Sequence, residues 1–183
     1  LSLNLAVDFD KKVLNGSAKV FIKNYTNAEK LVLDTKMLEI ASVMLDDSSQ
    51  AEYTLSKADS VFGQALTVSI LPETKWVEIT YKTSPEAGAL QWLSPEQTLG
   101  KEHPFLFSQS QAILARTWIP CQDGPGVKFT YDAIVKTSPE LLALMSAENG
   151  TQKTEDGVYT FKMTQPISSY LLALTIGDLE FAS

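Results

Sequence analysis

The sequence has one cysteine, Cys121, and one histidine, His103, in 183 residues. A single cysteine leaves no partner for an internal disulfide. A usual zinc site draws three or four ligands from His, Cys and carboxylates, and one residue of each of the first two kinds cannot supply that set. No EF-hand-type spacing marks a calcium loop, so the acidic pairs at 46–47 and 155–156 read as solvated turns. A Gly-x-Ser-x-Gly elbow is missing, and so is a Gly-rich phosphate cradle. A Ser-His-Asp triad would have to use His103, which precedes Pro104 in an irregular stretch. A Cys121–His103 pair would make a small thiol hydrolase, but the ordinary reading of Cys121 is a small buried side chain. Taken on its own residues, the chain offers no enzyme.

Positive charge is scarce as well. Lys and Arg number 15 against 22 Asp and Glu, a net charge of −7 with the signs well mixed. Nucleic-acid binding needs clustered basic residues, and no basic run of five or six occurs. No apolar run reaches the roughly 18 residues that would span a bilayer. The first ten residues alternate apolar and polar without a charged leading region, so they do not read as a signal peptide. The lone thiol suits a reducing compartment, and the expected location is cytoplasmic.

What is present is a core-forming composition, 44% hydrophobic, and a dominant period of two. Leu3, Leu5, Val7 and Phe9 alternate with Asn4, Ala6 and Asp8, the pattern of a half-buried strand. A turn at 10–12 leads to a second strand over 13–23. Asn15-Gly16 has the composition of a hairpin turn, but a turn there would leave Val13 and Leu14 without a role. A strand running through, with Gly16 as a bulge or close-approach point, is preferred. Further strands are predicted at 31–33, 40–45, 53–55, 65–70 and 76–81, with turns at 46–49 and 71–74. Regular strands return at 127–136, 158–163 and 169–176, with a last short one at 179–181. Ser138-Pro139-Glu140 resembles a helix N-cap with Pro in first position, so a helical turn over 139–144 precedes a strand reaching Ser146. The fold class is all-β: two packed antiparallel sheets in one domain over 1–183.

Between these regular parts, 84–104 carries three prolines and two glycines and reads as one long loop. Loops of that length in a compact domain are usually functional or interfacial. A short strand at 105–108 and a helical turn over 109–117 follow, then an irregular piece at 120–126.

Three blocks in this irregular centre carry a resemblance: Ala89-Leu90-Gln91-Trp92-Leu93, then Phe107-Ser108-Gln109-Ser110-Gln111-Ala112, then Arg116 with Ile119-Pro120-Cys121-Gln122-Asp123 and Pro125. Together they resemble the N-terminal domain of leukotriene hydrolase and its bacterial aminopeptidase relatives, within the zinc aminopeptidase family typified by aminopeptidase N. Val7-Asp8-Phe9, the run 31–35, 142–146 and 170–174 followed by Gly177 agree with it, so the likeness extends over essentially the whole chain. It implies a β-saddle that packs on a thermolysin-like catalytic domain and closes one side of the cleft. The zinc, its His-Glu-x-x-His motif and the Gly-x-Met-Glu-Asn segment belong to that other domain, and this sequence contains neither motif. By the same resemblance Gln109, Gln111 and Ala112 line the cleft where a peptide's free amino group sits. Gln111 would contact the α-amino group or first side chain, Gln109 would shape the specificity pocket, and Ala112 would line it. The implied parent is a hydrolase, a metalloprotease that removes N-terminal residues from peptides. The implied partners are its own catalytic domain and the substrate's N-terminus.

Pattern alone leaves blander readings beside these. Gln109 and Gln111 flank Ser110 and in a plain strand would share a face and meet water. Trp92 and Trp118 read as loop anchors or core, and Arg116 with Asp123 as a structural brace. A stand-alone β-sandwich binding or adhesion module has the same strand pattern, but it would not need the irregular blocks, and no Cys-Trp-Cys framework is present. An apolar patch is expected around 90–107 and near the C-terminal end, offering a route to self-association.

Overall fold

The structure is a computed structural model describing residues 1–46 and 49–181. The turn expected at 46–49 lies partly outside those residues. Thirteen strands among the described residues form three sheets. The all-β expectation holds, with one sheet more than the two predicted and with one parallel pairing.

The largest sheet has six strands: β12 (Val158–Ser168), β10 (Lys128–Lys136), β1 (Ser2–Asp8), β2 (Val13–Phe21), β7 (Trp76–Lys82) and β4 (Glu39–Leu45), in that order. Alternation built it. Leu3 and Leu5 of β1, Leu14 and Ala18 of β2, and Val77, Ile79 and Tyr81 of β7 all point to one buried face. Each fully buried Leu or Ile contributes about 1.5–3 kcal/mol relative to exposure. β2 runs straight through Asn15-Gly16, pairing Gly16 with Leu5 on one side and Tyr81 on the other. A Cβ at position 16 would stand 1.8 Å from the Asn4 carbonyl oxygen, so glycine is required there by close approach. β1 pairs antiparallel with β2 but parallel with β10, Ser2 opposite Asp132.

A second sheet holds β3 (Lys30–Thr35), β6 (Gln64–Ser69) and β5 (Tyr53–Leu55) in that order. A third holds β11 (Leu142–Met145), β13 (Leu174–Gly177), β9 (Phe105–Ser108) and β8 (Leu90–Leu93). Leu33, Leu66 and Val68 from the second, and Leu106, Leu174 and Ile176 from the third, join the residues of the first sheet in one continuous core.

Several boundaries differ from the sequence reading. The expected loop over 84–104 is interrupted by β8, whose four residues are too few to show a period, and by a 3-10 turn at Pro95–Gln97. The helical turn over 109–117 narrows to a 3-10 turn at Ala115–Thr117. Pro139 opens a plain turn before β11 rather than a helical one. The strand expected at 169–176 divides into a 3-10 turn at Ser169–Leu171 and β13. Residues 179–181 are not a strand, and the Leu179 N–H folds back onto the Gly177 carbonyl at 2.9 Å. β12 runs five residues beyond its expected end, carrying Pro166 within a register shift. It can do so because it is an edge strand, where a missing N–H is tolerated.

Candidate functional site

β9 delivers the chain to the irregular centre. Ser108 Oγ accepts the Leu174 N–H at 2.8 Å, and the Gln109 N–H donates to the Ala89 carbonyl at 2.8 Å. The chain then turns. Ser110 points inward and is 2% exposed, while Gln109, Gln111 and Ala112 on either side are exposed. The Gln111–Ala112 peptide is cis. The Leu114 N–H closes the turn onto the Ser110 carbonyl at 2.9 Å.

The two glutamines are used differently. Gln109 Oε1 accepts the Gln111 N–H at 2.9 Å, which commits its carboxamide to holding the turn. The Gln111 carboxamide makes no hydrogen bond to any described residue and stays available. Ala112 beside it adds only a methyl group. The arrangement can present one uncommitted carboxamide, an acceptor and a donor, on a turn with a fixed inner residue.

Beyond the turn the chain is buried. Arg116 and Asp123 form the brace expected of them, and it is a larger one than a pair. Arg116 Nε and its own backbone N–H both donate to Asp123 Oδ2 at 3.1 Å, and Nη2 reaches the Asp123 carbonyl at 3.1 Å. Nη1 donates to the Phe62 carbonyl at 2.8 Å and lies 3.6 Å from Asp34 Oδ1. Ser169 Oγ donates to Asp123 Oδ1 at 2.7 Å, and the Asp123 N–H donates to Asp34 Oδ2 at 2.9 Å. Nearly every polar atom of the buried ions is therefore engaged, the condition under which a buried pair is tolerated. Asp34 and Ser169 lie far away in sequence, and no local signal announced them.

Trp118 is fully buried and Trp92 half-buried, its ring edge-on to Phe9 at 5.5 Å between centroids. Both serve packing, as expected. Cys121 is buried and free, bridged through its backbone to Asp34. Burial pushes its thiol well up, and the Asp123 and Asp34 carboxylates push the same way against Arg116. A thiol so held stays protonated and is a poor nucleophile. His103 lies elsewhere, with Nδ1 3.8 Å from Glu140 Oε2, in a hollow of about 260 Å³ shared with Leu93, Leu99, Phe105 and Asp178. Cys121 lines a different groove, with Leu31, Leu33 and Phe129. The thiol hydrolase reading thus has no geometry behind it. Among the described residues no group of three or more His, Cys, Asp or Glu is placed to hold a metal ion. His103 and Cys121 also lie apart, so the described residues present no set of zinc ligands.

The outward row of the four-stranded sheet, next to the turn, runs Gln91, Phe107, Thr175, Leu144 across paired positions. Phe107 is partly exposed and its ring lies 5.9 Å from that of Phe105. The Phe105 ring in turn covers Gly177, where a Cβ would come within 2.4 Å of it. The apolar patch expected around 90–107 is therefore present in part: Leu90 is buried, while Phe107 and the fully exposed Leu99 face solvent. Near the other end Leu171 and Phe181 are exposed.

The family described as the peptidase M1 N-terminal domain matches residues 1–171. A leukotriene A-4 hydrolase of Xenopus laevis is 41% identical over 98% of this chain and 31% of its own length. A leucine aminopeptidase 2 of Pyricularia oryzae is 38% identical over 98% of the chain and 31% of its own. The chain thus spans under a third of the length of these relatives. The structure of native yeast LTA4 hydrolase superposes with a TM-score of 0.90 at 32% identity, over 100% of this chain and 29% of that one. An M1 zinc metallopeptidase of Deinococcus radiodurans shares the fold, with a TM-score of 0.75 at 20% identity over 96% of this chain and 40% of its own.

Proposed function

This chain belongs to the peptidase M1 N-terminal domain family, and from that membership we propose that it is the non-catalytic N-terminal domain of a zinc aminopeptidase. In this reading it packs on a separate thermolysin-like catalytic domain and closes one side of the cleft. The observation that carries the reading is the exposed turn at 109–112, with one carboxamide free and its inner residue buried. The Gln111 carboxamide oxygen can accept a hydrogen bond from a peptide's terminal ammonium group, and a bond to a charged partner contributes about 1.5–3 kcal/mol. Being neutral, Gln111 orients the ammonium and leaves most of its charge to be balanced by carboxylates of the catalytic domain. Gln109 shapes the turn and Ala112 leaves room for the first side chain. Zinc belongs to the catalytic domain, where it supplies an activated water.

The half-exposed row with Phe107 and Leu144 is the part of this chain that fits a covering domain, because it adjoins the turn and sets these two apolar side chains among the polar Gln91 and Thr175. Left uncovered, it is also the route to self-association. No observation favours a stand-alone binding module.

The test is hydrolysis of aminoacyl-nitroanilides, with zinc binding followed by calorimetry. This chain with added zinc should show no turnover and no stoichiometric metal. In the complete enzyme, Gln111→Ala should raise KM about ten-fold, with a smaller change in kcat. Zinc-dependent turnover by this chain alone, or a Gln111→Ala enzyme with unchanged KM, overturns the reading.

A further inference from the structure

We propose that Ser110 is a positioning residue for the exposed turn: from the core it sets the direction of the Gln111 carboxamide, and through it the affinity for a substrate's ammonium group. The inference rests on the reading above and adds a residue to it that touches no substrate. A serine hydroxyl has one proton to donate and lone pairs to accept. Ser110 Oγ uses both, donating to the Leu172 carbonyl at 3.0 Å and accepting the Trp118 Nε1–H at 3.1 Å. Both partners are sealed from water, Trp118 at 0% and Leu172 at 1% exposure.

The three groups come from three separate segments. Ser110 lies in the turn, Trp118 just after the 3-10 turn at Ala115–Thr117, and Leu172 between the 3-10 turn at Ser169–Leu171 and β13. Trp118 is itself held, because its carbonyl accepts the Tyr81 hydroxyl at 2.9 Å. A continuous path thus runs from β7 in the six-stranded sheet through Tyr81, Trp118 and Ser110 to Leu172, just ahead of β13 in the four-stranded sheet. Within that path, Ser110 is the residue whose two neighbours, Gln109 and Gln111, face outward. Removing the hydroxyl leaves a buried indole N–H and a buried carbonyl unpaired, a costly state that the chain relieves by moving. The exposed turn is the part of the path least confined by packing, so the movement falls on Gln111.

The test compares Ser110→Ala, Gln111→Ala and the double variant in the complete aminopeptidase, by KM and kcat on aminoacyl-nitroanilides and by thermal melting. Ser110→Ala should raise KM roughly three- to ten-fold with kcat within about two-fold, the signature of weakened substrate binding. In the Gln111→Ala background it should leave KM unchanged while lowering the melting temperature as before, because coupled residues are non-additive. A purely structural Ser110 would lower stability and give the same KM change, or none, in both backgrounds, and that result overturns the proposal. If Gln111→Ala itself leaves KM unchanged, the turn is not the substrate's partner and the earlier reading falls instead. Should Ser110→Ala fail to fold, Ser110→Cys is read the same way, since a thiol fills the space but donates and accepts only weakly.

Discussion

In the six-stranded sheet the backbone satisfies itself almost throughout, the Leu14 N–H, which donates to Thr83 Oγ1, being an exception. β1, β2 and β7 exchange N–H and C=O groups along unbroken registers, and side chains have only to fill the core. Between Gln109 and Asp123 the opposite holds. Side chains do much of the work of satisfying the main chain: Thr117 Oγ1 accepts the Ala89 N–H, Asp123 accepts the Arg116 N–H, and Tyr81 donates to the Trp118 carbonyl. A regular ladder tolerates any side chain of the right size and polarity. A stretch closed by side chains depends on particular ones, because a buried polar group left without its partner costs more than the pair contributed. That is also how an exposed turn can be held in one shape without a strand or helix beneath it.

The sharpest way to break this comparison is Asp123→Ala. It strips Arg116, the Ser169 hydroxyl and the Arg116 N–H of a shared acceptor in the buried corner. The unfolding free energy measured in urea should fall by about 3–5 kcal/mol. A loss under about 1 kcal/mol would mean that the brace is ornamental. Gly16→Ala tests the ladder at its one intolerant point. The added methyl drives into the Asn4 carbonyl, and about 2–4 kcal/mol should be lost by the same measurement. A neutral result would show that β1 and β2 separate at no cost there. The smallest effect belongs to the ladder's surface. Lys82 and Glu39 sit opposite each other and pair at 2.6 Å, both open to water. Lys82→Ala should change stability by less than about 0.5 kcal/mol, and less still in high salt. A larger cost would remove the contrast with the buried corner.

The same contrast explains what the sequence made legible. Leu3, Leu5 and Leu14 announced the ladder because period-two burial is written locally, and keeping Val13 and Leu14 in a strand led to a strand running through Gly16 as a bulge or close-approach point, of which the structure shows the close approach. β8 did not announce itself, because four residues inside a proline-rich run hold too little of a period to read. The third sheet and the parallel β1–β10 pairing were hidden for a different reason: nothing in Ser2 specifies Asp132. In the turn, Gln109, Gln111 and Ala112 were singled out through family likeness alone, and the structure adds only that all three are exposed. The hydrogen bond from Ser110 to the Leu172 carbonyl was out of reach, since the two lie 62 residues apart. The Arg116–Asp123 pair was legible, but its extension to Asp34, Phe62 and Ser169 was not.

The parallel pairing of β1 with β10 bears on how the molecule comes to be made. During synthesis β2, β4 and β7 can all assemble on β1 long before residue 128 emerges, while the other side of β1 waits for a partner some 130 residues on. Until then the nascent sheet carries an open edge in what will become its interior, with Leu3 and Leu5 only partly covered. Contacts of such long range close slowly, and an unpaired edge invites pairing with another chain. Once β10 and β12 are in place the edge on that side of the sheet is β12, interrupted by Pro166 and a register shift and poorly suited to recruiting a further strand. The hazard at the β1 edge is confined to the interval before closure, and dilution or a holding chaperone at that stage should govern the yield of native protein more than any gain in final stability.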